Sequence, residues 1–176
     1  KLTMSVGSKG LSIPIFKMGK VDPSTITSGN CSFNLYAEWK ENYVSQNVLG
    51  YLPGTRQPDS FLVFTAHYDH LGHLGKQTYF PGANDNASGI AMLNELAVYY
   101  SDSTHRLPYS ILFIAFAGEE AGLIGSKYFT QHPLIDLKKI KFLVNMDIMG
   151  TGDESITVVN ATQHPEEFKV LDSLNK

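Results

Sequence analysis

Acidic and imidazole side chains follow each of three apolar runs in this sequence. The runs span residues 61–66, 110–116 and 142–146, and a glycine-rich segment at residues 82–89 adds one more acid. An imidazole combined with carboxylates is a donor set that suits Zn²⁺, which accepts both nitrogen and oxygen ligands. The candidate residues are His67, Asp69, Asp85, Glu119, Glu120 and Asp147.

The carboxylates of this set would lie close together if the ends of the three apolar runs converge. Without a cation, like charges so close together would repel one another, and the pKa values of the carboxyl groups would rise. A bound dication removes that repulsion. Two dications about 3.5–4 Å apart would fit a site with a shared carboxylate and would hold a water molecule between them. The residue types therefore predict a site for divalent metal ions.

The elements that must position these residues follow from the hydrophobic pattern. Short continuous apolar runs are typical of strands buried on both faces, whereas apolar residues three and four apart are typical of helices. Strands are predicted at residues 11–16, 31–37, 45–52, 61–66, 110–116, 142–146 and 155–159, and helices at residues 86–100, 122–131 and 165–174.

Strands that alternate with helices predict an α/β fold with three layers, helix/sheet/helix, around a mixed sheet that is parallel in its centre. Ligands of such sheets bind beyond the carboxyl ends of the strands. All three apolar runs end at candidate residues, so we expect these side chains to share one edge of the sheet. Residues 1–30 are rich in glycine, serine, threonine and proline and are expected to form a loop-rich lead-in.

Composition excludes several classes of partner. The net charge of −3 leaves no basic surface for nucleic acid or for an anionic membrane. No apolar run reaches the roughly 20 residues that a membrane-spanning helix needs. A hydrophobic content of 43% and a charged content of 18% are ordinary for a globular domain.

Four blocks of the sequence together resemble metallopeptidase family twenty-eight, which holds bi-zinc aminopeptidases and related carboxypeptidases. The similarity runs from about residue 47 to residue 147, with the blocks in the usual order and at the usual separations. One such block is a weak signal, whereas four in order are specific. The blocks are His67-Tyr68-Asp69, residues 82–89, Gly118-Glu119-Glu120 and Asn145-Met146-Asp147.

The resemblance implies a zinc exopeptidase with two zinc ions in its complete domain. It assigns His67 and Asp147 to the first zinc ion and Glu120 to the second. Asp85 would bridge the two ions, and the peptide bond that follows this aspartate is often cis in relatives. Each residue also has a purely structural interpretation, such as a core histidine for His67 or a helix cap for Asp85.

The resemblance also implies the chemistry. Glu119 would be the general base that deprotonates the zinc-bridging water and passes the proton to the leaving amine. Asp69 would accept the N–H of the far imidazole nitrogen of His67 and so fix the tautomer. The implied substrate is a peptide with a free N-terminus, although aminopeptidase and carboxypeptidase activity are not separated by these residues. Relatives are commonly exported, so a periplasmic or extracellular location is expected.

The sequence departs from the family at one ligand. The second zinc ion of the family takes a further histidine well beyond the last aspartate ligand. The only histidine after Asp147 is His164, which follows too closely and lies beside a predicted helix start. The remaining histidines, His70, His73, His105 and His132, are expected to be structural or exposed.

We interpret this departure as a truncation, so that residues 31–176 form a partial zinc peptidase domain. Ser12-Ile13-Pro14-Ile15-Phe16 resembles the end of a protease-associated insert domain, so residues 1–30 are expected to be the tail of such a domain. A second zinc site without its histidine should bind metal weakly. The 176-residue chain is therefore expected to be nearly inactive, with an exposed sheet edge and exposed apolar surface.

Two other functions fit the same fold. A glutaminyl cyclase-like acyltransferase would cyclise an N-terminal glutamine on one zinc ion, although residues 84–89 are more similar to the peptidases. A non-catalytic binding module would keep the fold and lose its metals, although the intact ligand types argue against it. Substrate tests separate the first of these from a peptidase, and metal analysis separates the second.

Overall fold

The computed structural model describes residues 40–152 and 156–174, together with isolated positions 22, 24, 28 and 30. The strands predicted at residues 11–16 and 31–37 lie outside the described residues. The division between a lead-in at residues 1–30 and a domain at residues 31–176 therefore stays a prediction.

The centre of the fold is a four-stranded mixed sheet with the strand order β1-β5-β2-β6. Strand β2 lies parallel to both β5 and β6, and β1 pairs antiparallel with β5 at one edge. In this register Val63 of β2 lies beside Leu112 of β5 and Leu143 of β6. The predicted mixed sheet with a parallel centre is confirmed. The strands are β1 Val48–Leu52, β2 Gln57–His67, β3 His73–Leu74, β4 Thr78–Tyr79, β5 Tyr109–Phe116 and β6 Ile140–Asn145.

Helices cover both faces of the sheet. On one face Val63 and Ile114 pack into a core with Phe129 of the second helix. On the other face Ile111 and Phe113 pack with Leu93 of the first helix. The predicted three layers are therefore present. The helices are α1 Ser88–Ser101, α2 Ile124–Gln131 and α3 Pro165–Leu174, with short 3₁₀ turns at Ser103–His105, Leu137–Lys139 and Ala161–Gln163.

Two predicted helices begin later than the sequence pattern indicates. Helix α1 begins at Ser88 because Asp85 and Asn86 have non-helical backbone angles. Helix α2 begins at Ile124 because Leu123 adopts a left-handed conformation with φ of 62°. The third helix has the predicted bounds. The strand predicted at residues 155–159 is wrong in its described part, because residues 156–158 form no regular structure and Val159 lies in a turn.

Several apolar side chains of the described residues are exposed. Strand β6 lies at the end of the strand order, and its Leu143 and Val144 are 48% and 37% exposed. Helix α3 presents Phe168 and Leu171, which are 39% and 45% exposed. None of the helices in the described ranges combines the length and apolar character needed to span a bilayer.

Candidate metal centre

The carboxyl ends of three neighbouring strands bring the candidate residues to one edge of the sheet. His67 is the last residue of β2 and pairs in register with Phe116 at the end of β5. Thr65 pairs with Asn145 at the end of β6, and the Oγ1 of Thr65 donates a hydrogen bond of 2.7 Å to its side-chain oxygen. Glu119 follows β5 and Asp147 follows β6, so the predicted convergence is present.

A first group of donor atoms surrounds His67, whose side chain is only 4% exposed. Its Nε2 atom lies 3.1 Å from Oδ1 of Asp85 and 3.5 Å from Oδ1 of Asp147. Two donors about 2.0–2.1 Å from a tetrahedral zinc ion lie about 3.3–3.4 Å apart. The three side chains offer donor atoms within 4.8 Å of one another, so their spacing fits one zinc ion.

Asp85 is held by the irregular segment that precedes α1. Its peptide bond to Asn86 is cis, as the family resemblance implies. The side chain of Asn86 is buried, donates to the carbonyl of Met146 at 3.0 Å and accepts from the N–H of Gly89 at 3.0 Å. These bonds tie Asp85 to the end of β6, next to Asp147. The residue at the N-terminal cap of α1 is Ala87, so Asp85 does not cap this helix.

Asp69 contacts His67 through its backbone carbonyl and the next loop through its carboxylate. The Nδ1 atom of His67 lies 3.0 Å from the backbone carbonyl oxygen of Asp69, whereas the carboxylate is 3.7 Å away. The carboxylate instead accepts the backbone N–H groups of Glu119 at 2.9 Å and Glu120 at 3.1 Å. Asp69 is thus the acceptor next to Nδ1 of His67, as the resemblance implies, but through its backbone carbonyl, while its carboxylate oxygens accept the two amides of the next loop. The carbonyl takes over the role of orienting the imidazole.

Glu119 points toward the same place, with Oε2 4.0 Å from Nε2 of His67. Burial raises the pKa of its carboxyl group above the ordinary value of 4.5, and the neighbouring imidazole opposes this rise. The carboxylates of Glu120, Asp147 and Asp69 raise the pKa further. A carboxylate with a raised pKa holds a proton more readily, which is the property a general base needs.

A second group of donor atoms contains His70, Asp85 and Glu120. The Nδ1 atom of His70 lies 2.7 Å from Oε1 of Glu120, and both side chains are 21% exposed. His70, which is expected from the sequence to be structural or exposed, therefore lies against a residue of the predicted site. No feature of the sequence indicates this pairing, because it depends on the path of the loop after β2. Asp85 belongs to both groups, which is the arrangement that a bridging ligand requires.

The other histidines behave as predicted within the described ranges. The Nδ1 atoms of His73 and His105 donate to the backbone carbonyls of Gly75 and Tyr99. His164 packs edge-on against Phe142, with ring centroids 5.4 Å apart, and belongs to neither donor group among the described residues.

An open cleft of about 390 Å³ lies beside the first donor group. Its walls are mainly apolar, and three candidate residues reach it. The lining includes His67, Glu119, Asp147, Phe116, Leu123 and Leu143.

Comparison with known proteins agrees with this fold and site. Residues 47–176 match the profile of Peptidase family M28. The match covers more than half of the chain, and the chain belongs to this peptidase family.

Individual curated relatives are named as peptidases. Aminopeptidase YwaD of Bacillus subtilis is 32% identical over 157 residues, which cover 87% of this chain and 32% of that protein. A probable zinc metalloprotease of Pyricularia oryzae is 37% identical over 111 residues, which cover 62% of this chain and 22% of that protein. The chain thus spans a third or less of the length of these curated relatives.

A solved structure shares the fold. A zinc aminopeptidase from Bacillus subtilis, BSAP, superposes with a TM-score of 0.53 and 35% sequence identity. The match covers 62% of this chain and 26% of that chain. The α/β architecture predicted from the sequence is confirmed.

Proposed function

We propose that this protein is a zinc-dependent exopeptidase of the aminopeptidase type. The observation that carries the proposal is the convergence of His67, Asp85 and Asp147 at separations of 3.1 and 3.5 Å, which fit one zinc ion. The presence of Asp85 in a second donor group supports two ions rather than one. Membership of Peptidase family M28 and the named aminopeptidase relative support the reaction class.

His67, Asp85 and Asp147 would hold the first ion, and Glu120 would contribute to the second. When bound, such ions polarise a carbonyl group and lower the pKa of an attacking water molecule. Glu119 accepts the proton of that water and delivers it to the amine that leaves, so the same carboxylate acts first as base and then as acid. The raised pKa of Glu119 favours this proton transfer, but the role of Glu119 is not inferred from the pKa.

The surroundings keep these groups oriented. The backbone carbonyl of Asp69 binds Nδ1 of His67, which leaves Nε2 with its lone pair toward Asp85 and Asp147. The carboxylate of Asp69 fixes the backbone of Glu119 and Glu120. Positions held in this way need little reorganisation during reaction.

The charge of the site supports a substrate with a free amino terminus. Glu119 and Asp147 line the cleft and are 34% and 38% exposed, and Glu120 is the next residue in the chain after Glu119. If the first peptide bond of a substrate lies at the metal site, its free amino group would be close to these carboxylates. An acetylated amino terminus offers no such positive charge or lone pair. The apolar cleft wall offers contact to a substrate side chain.

The test compares three substrates with the purified, zinc-loaded protein at its natural full length, because the 176-residue chain by itself is expected to be nearly inactive. Leucine p-nitroanilide should be hydrolysed, and its N-acetyl derivative should react at least about 100-fold more slowly because the free amine is lost. A peptide with an N-terminal glutamine should be shortened rather than cyclised. The matched variant Glu119→Gln should retain zinc and lose about 10²–10⁴-fold in kcat.

Other outcomes would contradict the proposal. Cyclisation of the glutamine peptide without hydrolysis would assign the protein to the cyclase chemistry. Failure to bind zinc under any loading condition would make it a non-catalytic binding module. Equal hydrolysis of the free and acetylated substrates would exclude an aminopeptidase.

A further inference from the structure

Side chains before and at the start of α1 bind the loop that follows β6. The N–H of Gly150 donates to Oδ1 of Asn84 at 2.7 Å, and the N–H of Met149 donates to Oγ of Ser88 at 2.9 Å. The side-chain N–H₂ of Asn84 also donates to Oγ1 of Thr151 at 3.1 Å. The partners are 61 to 67 positions apart in the chain, so these bonds connect two separate elements of the fold.

The two side chains that make these bonds are also joined to each other. The hydroxyl of Ser88 donates to the backbone carbonyl of Asn84 at 2.6 Å, which leaves its oxygen to accept the N–H of Met149. Helix capping does not explain this arrangement, because the N-terminal cap of α1 is Ala87, which makes no side-chain hydrogen bond. Asn84 and Ser88 are called the loop clamp below.

The loop depends on such bonds because its first residue is strained. Ile148 has a φ of 55°, in the left-handed region that β-branched residues rarely adopt. Strained residues persist only where the surrounding contacts fix them. The N–H of Ile148 lies 3.4 Å from Oδ1 of Asn86, which is a weak contact, whereas the clamp bonds to the next two residues are 2.9 and 2.7 Å long. The loop clamp therefore supplies the stronger contacts of this loop.

Each of the two connected segments carries one candidate metal ligand. Asp85 lies between the two residues of the loop clamp in the chain, and Asp147 directly precedes the clamped loop. The Oδ1 atoms of these two aspartates lie 3.1 and 3.5 Å from the same Nε2 atom of His67. A shift of the loop would move Asp147 relative to Asp85 and would change the distance between the two donor atoms. Contacts that surround metal ligands hold such distances in place.

We propose that Asn84 and Ser88 are positioning residues of the first metal site, and that they hold Asp147 at its distance from Asp85. The proposal rests on the proposed function, because it concerns the ligands of the site named there. Without the loop clamp, β6 still brings Asp147 to the edge of the sheet, but its carboxylate takes several positions. Zinc must then order its own ligand, which lowers the affinity.

The first test measures zinc affinity in variants of the purified protein at its natural full length. Ser88→Ala removes the oxygen that accepts the N–H of Met149, and Asn84→Ala removes the oxygen that accepts the N–H of Gly150. We expect each variant to bind zinc about 10–100-fold more weakly in competition with a chelator. Asn84→Asp keeps an acceptor, and the hydroxyl of Thr151 turns to donate to it, so this variant should recover most of the affinity.

Hydrogen exchange of the metal-free protein tests the clamp bonds without any ion. The amides of Met149 and Gly150 should exchange slowly in the wild type and in Asn84→Asp. The first amide should lose this protection in Ser88→Ala and the second in Asn84→Ala. Zinc affinity that recovers in Asn84→Asp without recovered protection would assign the effect to the added negative charge and would overturn the proposal.

The matched control is Ser101→Ala at the other end of α1. The hydroxyl of Ser101 donates to the carbonyl of Val98 at 2.7 Å, so the same kind of bond is lost away from the site. This variant should keep the zinc affinity of the wild type, and a loss equal to that of Ser88→Ala would overturn the proposal.

The remaining outcomes separate this proposal from the proposed function. Faster exchange of the loop amides in Ser88→Ala with unchanged zinc affinity overturns the positioning role and leaves the proposed function intact. Unprotected loop amides in the wild type have the same meaning, whether or not the alanine variants fold. A wild-type protein that binds no zinc overturns the proposed function itself.

Discussion

The carboxylate of Asp69 accepts the backbone N–H of Glu119 at 2.9 Å, so the loop after β2 fixes the loop after β5. Its other oxygen accepts the N–H of Glu120 at 3.1 Å. The side chain is 23% exposed, which protects these bonds partly from water. Asp69 thereby fixes the backbone from which the side chains of Glu119 and Glu120 extend.

Replacement of this aspartate should impair catalysis while the metal ligands themselves are unchanged. In Asp69→Asn one oxygen becomes an amide N–H₂, which cannot accept, so one of the two loop amides loses its partner. We expect a fall of about 10–100-fold in kcat or in zinc affinity. Steady-state kinetics and zinc titration of the purified protein measure both.

The matched control for this change is Asp102→Asn. Asp102 also accepts a backbone N–H, that of Thr104 at 2.8 Å, but it lies beyond the far end of α1. A helix of this length separates the two ends by about 20 Å. We expect nearly unchanged kinetics in the control, and equal losses in both variants would show that the effect is not local.

The contribution of Glu119 to the stability of the metal-free protein should fall as the pH rises. Burial raises the pKa of Glu119 above 4.5, with further contributions from Glu120, Asp147 and Asp69 and opposition from His67. A raised pKa in the folded state means that folding favours the protonated form. The stabilisation is fully present below the unfolded pKa and is lost as the pH rises through the folded pKa.

Glu119→Gln removes this titration, and the variant should therefore melt above the wild type at pH 7 in excess chelator. Below pH 4.5 the two melting temperatures should approach each other, since the wild-type carboxyl group is then protonated. Glu95→Gln on the exposed surface of α1 is the control and should follow the wild type. A gap that is the same at both pH values would refute the electrostatic explanation.

Gly89 at the start of α1 should tolerate no side chain. A Cβ at this position would lie 2.5 Å from the carbonyl oxygen of Met146 and would collide with the side chain of Asn86. Glycine to alanine in a helix usually stabilises by about 0.4–1 kcal/mol. Here we expect Gly89→Ala to destabilise by about 1–3 kcal/mol, because the link between α1 and the end of β6 must move.

Urea unfolding of the metal-free protein measures this change. Gly50→Ala is the control, because a Cβ there would meet only Phe113 at an ordinary 3.7 Å. Its free energy of unfolding should change little. Stabilisation by Gly89→Ala would mean that the contact of Asn86 with Met146 is not a structural constraint.

The sequence predicts the sheet and the first donor group for a physical reason. Strand β5 and the second half of β2 are largely buried on both faces, so their apolar residues form continuous runs whose ends are easy to locate in the sequence. His67 and Asp147 lie directly at or after strand ends, where the rule for parallel sheets places ligands. The Nε2 atom of His67 and the Oδ1 atom of Asp147 lie 3.5 Å apart, and this proximity follows from the order of the parallel strands without information on the loops.

The features that the sequence missed depend on loop paths. Residues 68–82 have no regular periodicity, so nothing in them indicates that His70 turns back toward Glu120. The same is true of Asp69, whose type predicts a hydrogen-bond acceptor but not which of its oxygens meets His67. The late start of α1 reflects non-helical angles at Asp85, which helical spacing alone does not reveal.

The most direct test of the central claim is the position of bound metal. Crystals of the purified, zinc-loaded protein should be measured on both sides of the zinc absorption edge. We predict an anomalous peak about 2.0–2.2 Å from Nε2 of His67 and from carboxylate oxygens of Asp85 and Asp147. Zinc found only at other surface positions, with this donor group empty in fully loaded crystals, would contradict the assignment of a metallopeptidase site.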